Sequence, residues 1–137
     1  MTDCNCVFCR IVKGELPSYK IYEDESTYAF LDISKDIDGH TLVVPKGHYT
    51  NVLDCPNEIL EKVIDTVKKV SNHYINECKY DGINILNANN TSAGQSVFHL
   101  HFHIIPRREN DNENLWPTMS GAKHDLSQTH QELKLKN

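Results

Sequence analysis

Residues 99–105 read His99-Leu100-His101-Phe102-His103-Ile104-Ile105. Successive side chains of a strand point to opposite faces, so this order sets three imidazoles on one face and Leu100, Phe102 and Ile104 on the other. One face packs a core while the other presents ligands or catalysts. The spacing predicts a strand over Val97–Ile105, closed by Pro106, which cannot donate to a ladder.

Three readings compete for the histidine row. It is a set of partly exposed strand histidines without a role, a three-histidine catalytic metal site, or a device for phosphoryl chemistry. A metal needs three convergent ligands, and a straight strand brings two alternate histidines to one ion more easily than three. Phosphoryl chemistry asks for a neutral nucleophile beside protonated neighbours, and an imidazole with a pKa near ~6.5 serves either purpose. The central His101 would attack phosphorus, with His99 and His103 flanking it. Ahead of the row, Ser92-Ala93-Gly94-Gln95-Ser96 is a small flexible loop. It can offer backbone N–H groups, the Gln95 amide and the Ser96 hydroxyl to a phosphate.

Around this centre the chain reads as alternating strands and helices. Phe8–Gly14 is a short helix ended by glycine, and Lys20–Glu23 with Thr27–Asp32 is a hairpin over Asp24-Glu25-Ser26. Thr41–Val44 and Ile83–Ala88 are further strands. Ile59, Leu60, Val63, Ile64, Val67 and Val70 recur at three and four, predicting a long amphipathic helix over Pro56–Cys78 with Asp54 as its N-cap. A weaker pattern marks Asp125–Lys134 as a short helix. At 137 residues the chain has room for one core, so a single domain over 1–137 is expected.

A formal charge of −5 argues against a general nucleic-acid binder, which needs a basic face. No apolar run approaches the ~20 residues that span a bilayer, and Met1–Arg10 lacks the pattern of a signal peptide. A cytoplasmic protein with no nucleic-acid or membrane partner is the expectation. Five cysteines, three of them crowded at Cys4, Cys6 and Cys9, fit reduced thiols or a metal better than a disulfide framework.

The run His99–Ile105 resembles the signature of the histidine triad (HIT) family without a departure. Tyr28–Ile33, Gly39–Lys46 and Gly94–Phe98 are similar to further family segments. Ser96 and Trp116-Pro117 look most like the Hint branch. The family core runs from about 6 to 116, with 117–137 as a C-terminal extension. The resemblance implies an α+β, HIT-like fold: a five-stranded antiparallel sheet with one long and one short helix, paired as a two-fold homodimer. It also implies a purine-nucleotide hydrolase. Nucleoside 5′-phosphoramidates or related nucleotidyl conjugates would be cleaved to the monophosphate through a nucleotidyl-His101 intermediate, with no metal needed for the chemical step. Asp32 would hold the ribose, and Phe8, Ile11, Phe30 and Ile33 would line a slot for the base. Asn87 would contact ribose or phosphate, Gly94, Gln95, Ser96 and His103 would bind phosphate, and His40 would support the triad.

Cys6-Val7-Phe8-Cys9 supplies half of a tetrahedral zinc site. Similar microbial family members complete it with residues matching His48 and His99, which would make the zinc structural and take His99 out of proton chemistry. Two buried free thiols, or Cys4 as a competing ligand, are the alternatives. A nucleotide-binding adaptor and a zinc-dependent hydrolase stand as rival functions.

Overall fold

The computed structural model describes residues 5–136, so Cys4 lies outside the described residues. The chain order is α1 (Val7–Val12), β1 (Lys20–Glu23), β2 (Thr27–Leu31), β3 (Thr41–Pro45), α2 (Asn57–Asn76), β4 (Gly82–Leu86), β5 (Phe102–Arg107) and α3 (Leu126–Leu133). The strands form one antiparallel sheet in the order β1-β2-β3-β5-β4. The fold is α+β, with α3 as a third helix beyond the long and the short one.

The two faces of the sheet carry two different cores, as strand alternation requires. Ala29, Val43, Phe102 and Ile104 face α2, whose buried Val63, Val67, Val70 and Tyr74 recur at helical spacing. Tyr28, Phe30, Leu42 and Val44 face the other way, against Phe8 of α1. Burying these stripes, at about 25 cal/mol per Å² of apolar surface, is what holds a helix rich in β-branched residues. Ile64 falls off the stripe and is about half exposed. At the end of α1, Gly14 has φ +82°, and its N–H reaches the Ile11 carbonyl while Glu15 bonds Arg10, satisfying the last turn.

Several boundaries differ from the sequence expectation. The fifth strand begins at Phe102, not Val97, because the Leu100 N–H donates to the Tyr49 carbonyl at 2.7 Å, outside the ladder. It also continues through Pro106 to Arg107. Pairing with β3 ends at Ile104, so the proline, which has no N–H, sits where that neighbour has already stopped. The fourth strand ends at Leu86 instead of Ala88 because the Asn87 amide donates to the His101 carbonyl at 2.9 Å. Asp54 does not cap α2. It forms a capping box with Asn51 around a 3-10 turn at Val52–Asp54, and Pro56 stands at the N-cap of α2 without a side-chain bond. Among the described residues, no helix is long and apolar enough to cross a membrane.

Candidate active site

Only His103 of the three triad histidines lies inside β5; His99 and His101 precede it. The expected row still keeps to one face: Leu100, Phe102 and Ile104 pack in the core under α2, while on the opposite face Phe8 meets the rings of both His99 and His101, at 5.9 and 5.2 Å. His99 is fully buried and its ring turns toward α1, while His101 and His103 stay together with ring centroids 4.9 Å apart. Of the two expected flanks of His101, His103 stands beside its ring, while His99 Nδ1 faces Cys6, Cys9 and His48.

His101 Nδ1 lies 2.8 Å from the His99 carbonyl. A carbonyl only accepts, so Nδ1 carries the hydrogen and Nε2 keeps its lone pair. Burial pushes His101 below the ordinary imidazole range, outweighing the bond to the His99 carbonyl. A neutral ring with a bare Nε2 is the form a nucleophile requires. This ring and that of Phe8 meet edge to face, with centroids 5.2 Å apart and planes at 82°. Asn87, which supports the same segment, gives one of its two amide hydrogens to the His101 carbonyl and accepts from Asn89 at 2.6 Å. It braces the backbone that carries the His101 ring.

His103 Nδ1 lies 2.9 Å from His40 Nε2, and His40 Nδ1 faces the Asp36 carboxylate at 2.9 and 3.1 Å. Burial, with His101 and His40 alongside, pushes His103 down to about 4. Asp32 stands 3.7 Å from His40 Nε2 and accepts from the Ser34 N–H at 2.8 Å.

Asp32 also lies on the rim of a cleft of about 430 Å³, lined mainly by Val7, Phe8, Ile11, Phe30, Ile33 and Leu42. Its volume and apolar walls are those of a small-molecule site. The four residues expected to hold a base all line it, with Phe8 and Phe30 buried and Ile33 80% exposed.

The loop departs from expectation at Gln95. Its side chain is buried and fully committed: Oε1 accepts from the Asn51 amide and the Asn90 N–H, and Nε2 donates to the Thr50 and Val97 carbonyls. Four internal bonds leave no amide to offer a phosphate, so Gln95 is a brace. The backbone N–H groups of Gly94 and Gln95 likewise bond Thr91 and Asn90 within the loop. Ser96, just before the triad segment, is exposed.

On the other side of His99 a second cluster forms. Cys6, Cys9, His48 and His99 converge, with His99 Nδ1 at 3.4 Å from Cys6 Sγ, 3.5 Å from Cys9 Sγ and 3.2 Å from His48 Nδ1. Cys9 Sγ is 3.4 Å from His48 Nδ1. His99 Nε2 donates to the Pro45 carbonyl at 2.9 Å, which leaves the Nδ1 lone pair facing the cluster. Burial, with His48 and His101 nearby, pushes His99 down to about 4, and burial pushes the Cys6 thiol up. Tetrahedral zinc with bonds of about 2.3 Å to sulfur and 2.0–2.1 Å to nitrogen spaces two nitrogens about 3.3 Å apart and a sulfur and a nitrogen about 3.6 Å apart. The four residues fit that ion.

Sequence reasoning missed two residues here. Asn51 ties the Gln95 loop to the 3-10 turn, and no local signal marks it. Asp36 has one: it is an acid four residues ahead of His40.

A family model described as HIT domain matches residues 13–110. An uncharacterized HIT-like protein of Borreliella burgdorferi is 50% identical over 109 residues, covering 78% of each chain. An adenosine 5′-monophosphoramidase of Saccharomyces cerevisiae is 37% identical over 136 residues, covering 98% of this chain and 84% of that one. The crystal structure of a zinc-bound histidine triad family protein from Mycobacterium smegmatis superposes with a TM-score of 0.77 at 38% identity, covering 81% of each chain. By sequence over most of its length and by fold, the chain belongs to the HIT domain family.

Proposed function

We propose that this HIT-family hydrolase cleaves nucleoside 5′-phosphoramidates or related nucleotidyl conjugates, releasing a nucleoside monophosphate through a covalent intermediate on His101. The observation that carries the reading is the 2.8 Å bond from His101 Nδ1 to the His99 carbonyl, which aims the lone pair at Nε2. In the first step Nε2 forms a bond to phosphorus as the P–N bond of the substrate breaks, and the amine leaves with one proton taken from solvent. Water then attacks the same phosphorus and gives up a proton as the bond from phosphorus to Nε2 breaks, which returns His101 to its neutral form. Splitting the displacement in two lowers each barrier.

The remaining roles follow from position. The apolar cleft takes the base, Asp32 on its rim takes the ribose hydroxyls, and His103 and Ser96 face the phosphate; Phe8 packs against the His101 ring. The relative from yeast, named for phosphoramidase activity, supports the substrate class. Cys6, Cys9, His48 and His99 would hold a structural zinc that pins α1 to the sheet, supported by the ligand spacing and by the zinc-bound relative. A bound zinc supplies cross-linking there, not chemistry. The reading includes a cytoplasmic, single-domain homodimer, and the open edge of β4 with half-exposed Ile85 is one surface a second copy can pair with.

Adenosine 5′-phosphoramidate hydrolysis by wild type and by His101→Ala tests the function. The expected loss in kcat is at least about 10³-fold, as for removal of other catalytic nucleophiles. Binding of AMP without any His101-dependent rate would instead identify a nucleotide-binding adaptor. Loss of rate on chelation from a protein that stays folded would identify a zinc-dependent hydrolase.

A further inference from the structure

Asp36, His40 and His103 form a hydrogen-bonded line that ends beside the nucleophile. The Asp36 carboxylate accepts from His40 Nδ1 at 2.9 and 3.1 Å, and His40 Nε2 meets His103 Nδ1 at 2.9 Å. We propose that Asp36 is a positioning residue: by holding hydrogen on His40 Nδ1 it makes His40 and His103 one proton relay that works at His103 Nε2. This inference takes its catalytic consequence from the hydrolase reading above and deepens it.

The hydrogen count follows from the donor and acceptor chemistry. A carboxylate accepts only, so His40 carries hydrogen on Nδ1. In the neutral pair His40 Nε2 is then bare, and the 2.9 Å contact requires the hydrogen of His103 on Nδ1. His103 Nε2 is therefore also bare and is a base. When it takes a proton from the water attacking the nucleotidyl-His101 bond, its Nδ1 hydrogen passes to His40 Nε2. The positive charge comes to rest on His40, between Asp36 and Asp32, and His103 stays neutral with its hydrogen on Nε2. The relay then releases that proton to solvent, while the amine, which departs in the earlier step, takes its proton from solvent. One proton enters and one leaves per turnover.

The surroundings favour charge on the inner ring of this pair. His40 is buried, and the titratable groups facing it are Asp36 and Asp32 from its own segment and His103 from β5. His103 in turn faces His101 and is poorly placed to hold charge itself. Burial works to raise the Asp36 carboxyl, but the bonds from His40 and Ser34 outweigh it and hold the group below its ordinary value. Asp36 remains ionised, and therefore an acceptor, at neutral pH. Its side chain is 56% exposed on a loop, so replacing it removes the orienting contact without opening the core.

Two readouts test the relay on the full-length protein, with Asp36→Asn, Asp36→Ala and Asp36→Glu. The first is nitrogen-15 NMR of the histidine rings without substrate near pH 7.5. Wild type is expected to show hydrogen on His40 Nδ1 and a bare Nε2, and Asp36→Ala is expected to move His40 toward the other tautomer. The second is the pH profile of adenosine 5′-phosphoramidate hydrolysis. General acid–base catalysis contributes about 10²–10⁴-fold, so loss of its orienting group is expected to lower kcat about 10- to 100-fold in Asp36→Asn and Asp36→Ala. KM is expected to hold within about threefold, and Asp36→Glu to recover part of the rate. An unchanged His40 tautomer in Asp36→Ala, or kcat within twofold of wild type in both variants, overturns the proposal. A wild type with no turnover but the predicted tautomer shift would sink the substrate reading and leave the hydrogen-bonded relay standing.

Discussion

Removing the ion that Cys6, Cys9, His48 and His99 are spaced to hold should loosen α1 from the sheet. Three sulfur-to-nitrogen separations, 3.4, 3.5 and 3.4 Å, and the 3.2 Å between His48 and His99 are within about 0.2 Å of tetrahedral zinc. The His99 lone pair is already aimed by the bond to Pro45, so little reorganisation opposes binding. Binding to the folded state alone stabilises by RT ln(1 + [L]/Kd), about 4 kcal/mol with free zinc at a thousand times Kd. For a chain of this size each kcal/mol moves Tm by about 4 °C, so the zinc-loaded protein should melt about 15 °C above the chelated one. The assay is a circular-dichroism melt of metal-loaded and chelator-treated protein, with zinc content measured by mass spectrometry. Cys9→Ser should lose most of this difference. Cys78→Ala, which alters an exposed thiol far from the cluster, should keep it. Melting points within 2 °C of each other, or less than a tenth of an equivalent of zinc in loaded protein, would refute the reasoning.

The remaining expectations concern stability. His103 is held neutral when folded, down to about 4, and titrates near 6.5 when unfolded, so the unfolded chain binds the extra proton between those values. Its contribution is whole above pH 6.5 and is lost as pH falls toward 4, on the order of 1–3 kcal/mol; urea midpoints across that window should fall less steeply in His103→Asn. Gly39→Ala combines φ +84° with a Cβ 2.6 Å from Pro106 Cγ, so a loss of about 2 kcal/mol or more is expected in chemical denaturation. The same shift displaces the neighbouring His40, which turnover would register. Thr27 and Thr66 share a buried hydrogen bond at 2.7 Å, and Thr27 gives its own hydrogen to Asp24. Thr27→Val therefore strands the Thr66 hydroxyl at a cost of about 1–3 kcal/mol, Thr66→Val should cost less, and equal losses would contradict this assignment of hydrogens.

Much of the frame was legible because it rests on short-range periodicity. The hairpin at Asp24-Glu25-Ser26, the helix stripe Val63-Val67-Val70 and the glycine stop at Gly14 follow from side-chain spacing and backbone freedom, and each stands close to where the pattern puts it. Gln95 shows the limit: an amide that braces a loop and an amide that binds phosphate are the same letter, and only the positions of Thr50, Asn51 and Asn90 tell them apart.

By itself the amino-acid order determined the identity of the triad, the pairing of Cys6 with Cys9 and the two-faced strands, all of which depend on residues a few positions apart. Tertiary structure alone decided what each triad histidine does. Alternation puts Leu100, Phe102 and Ile104 under α2 and the three rings on the face of Phe8, but the partners waiting for each ring come from distant segments. Chain folding brings His99 to thiols 90 and 93 residues away, sets His101 against Phe8, and puts His103 within reach of His40 and Asp36.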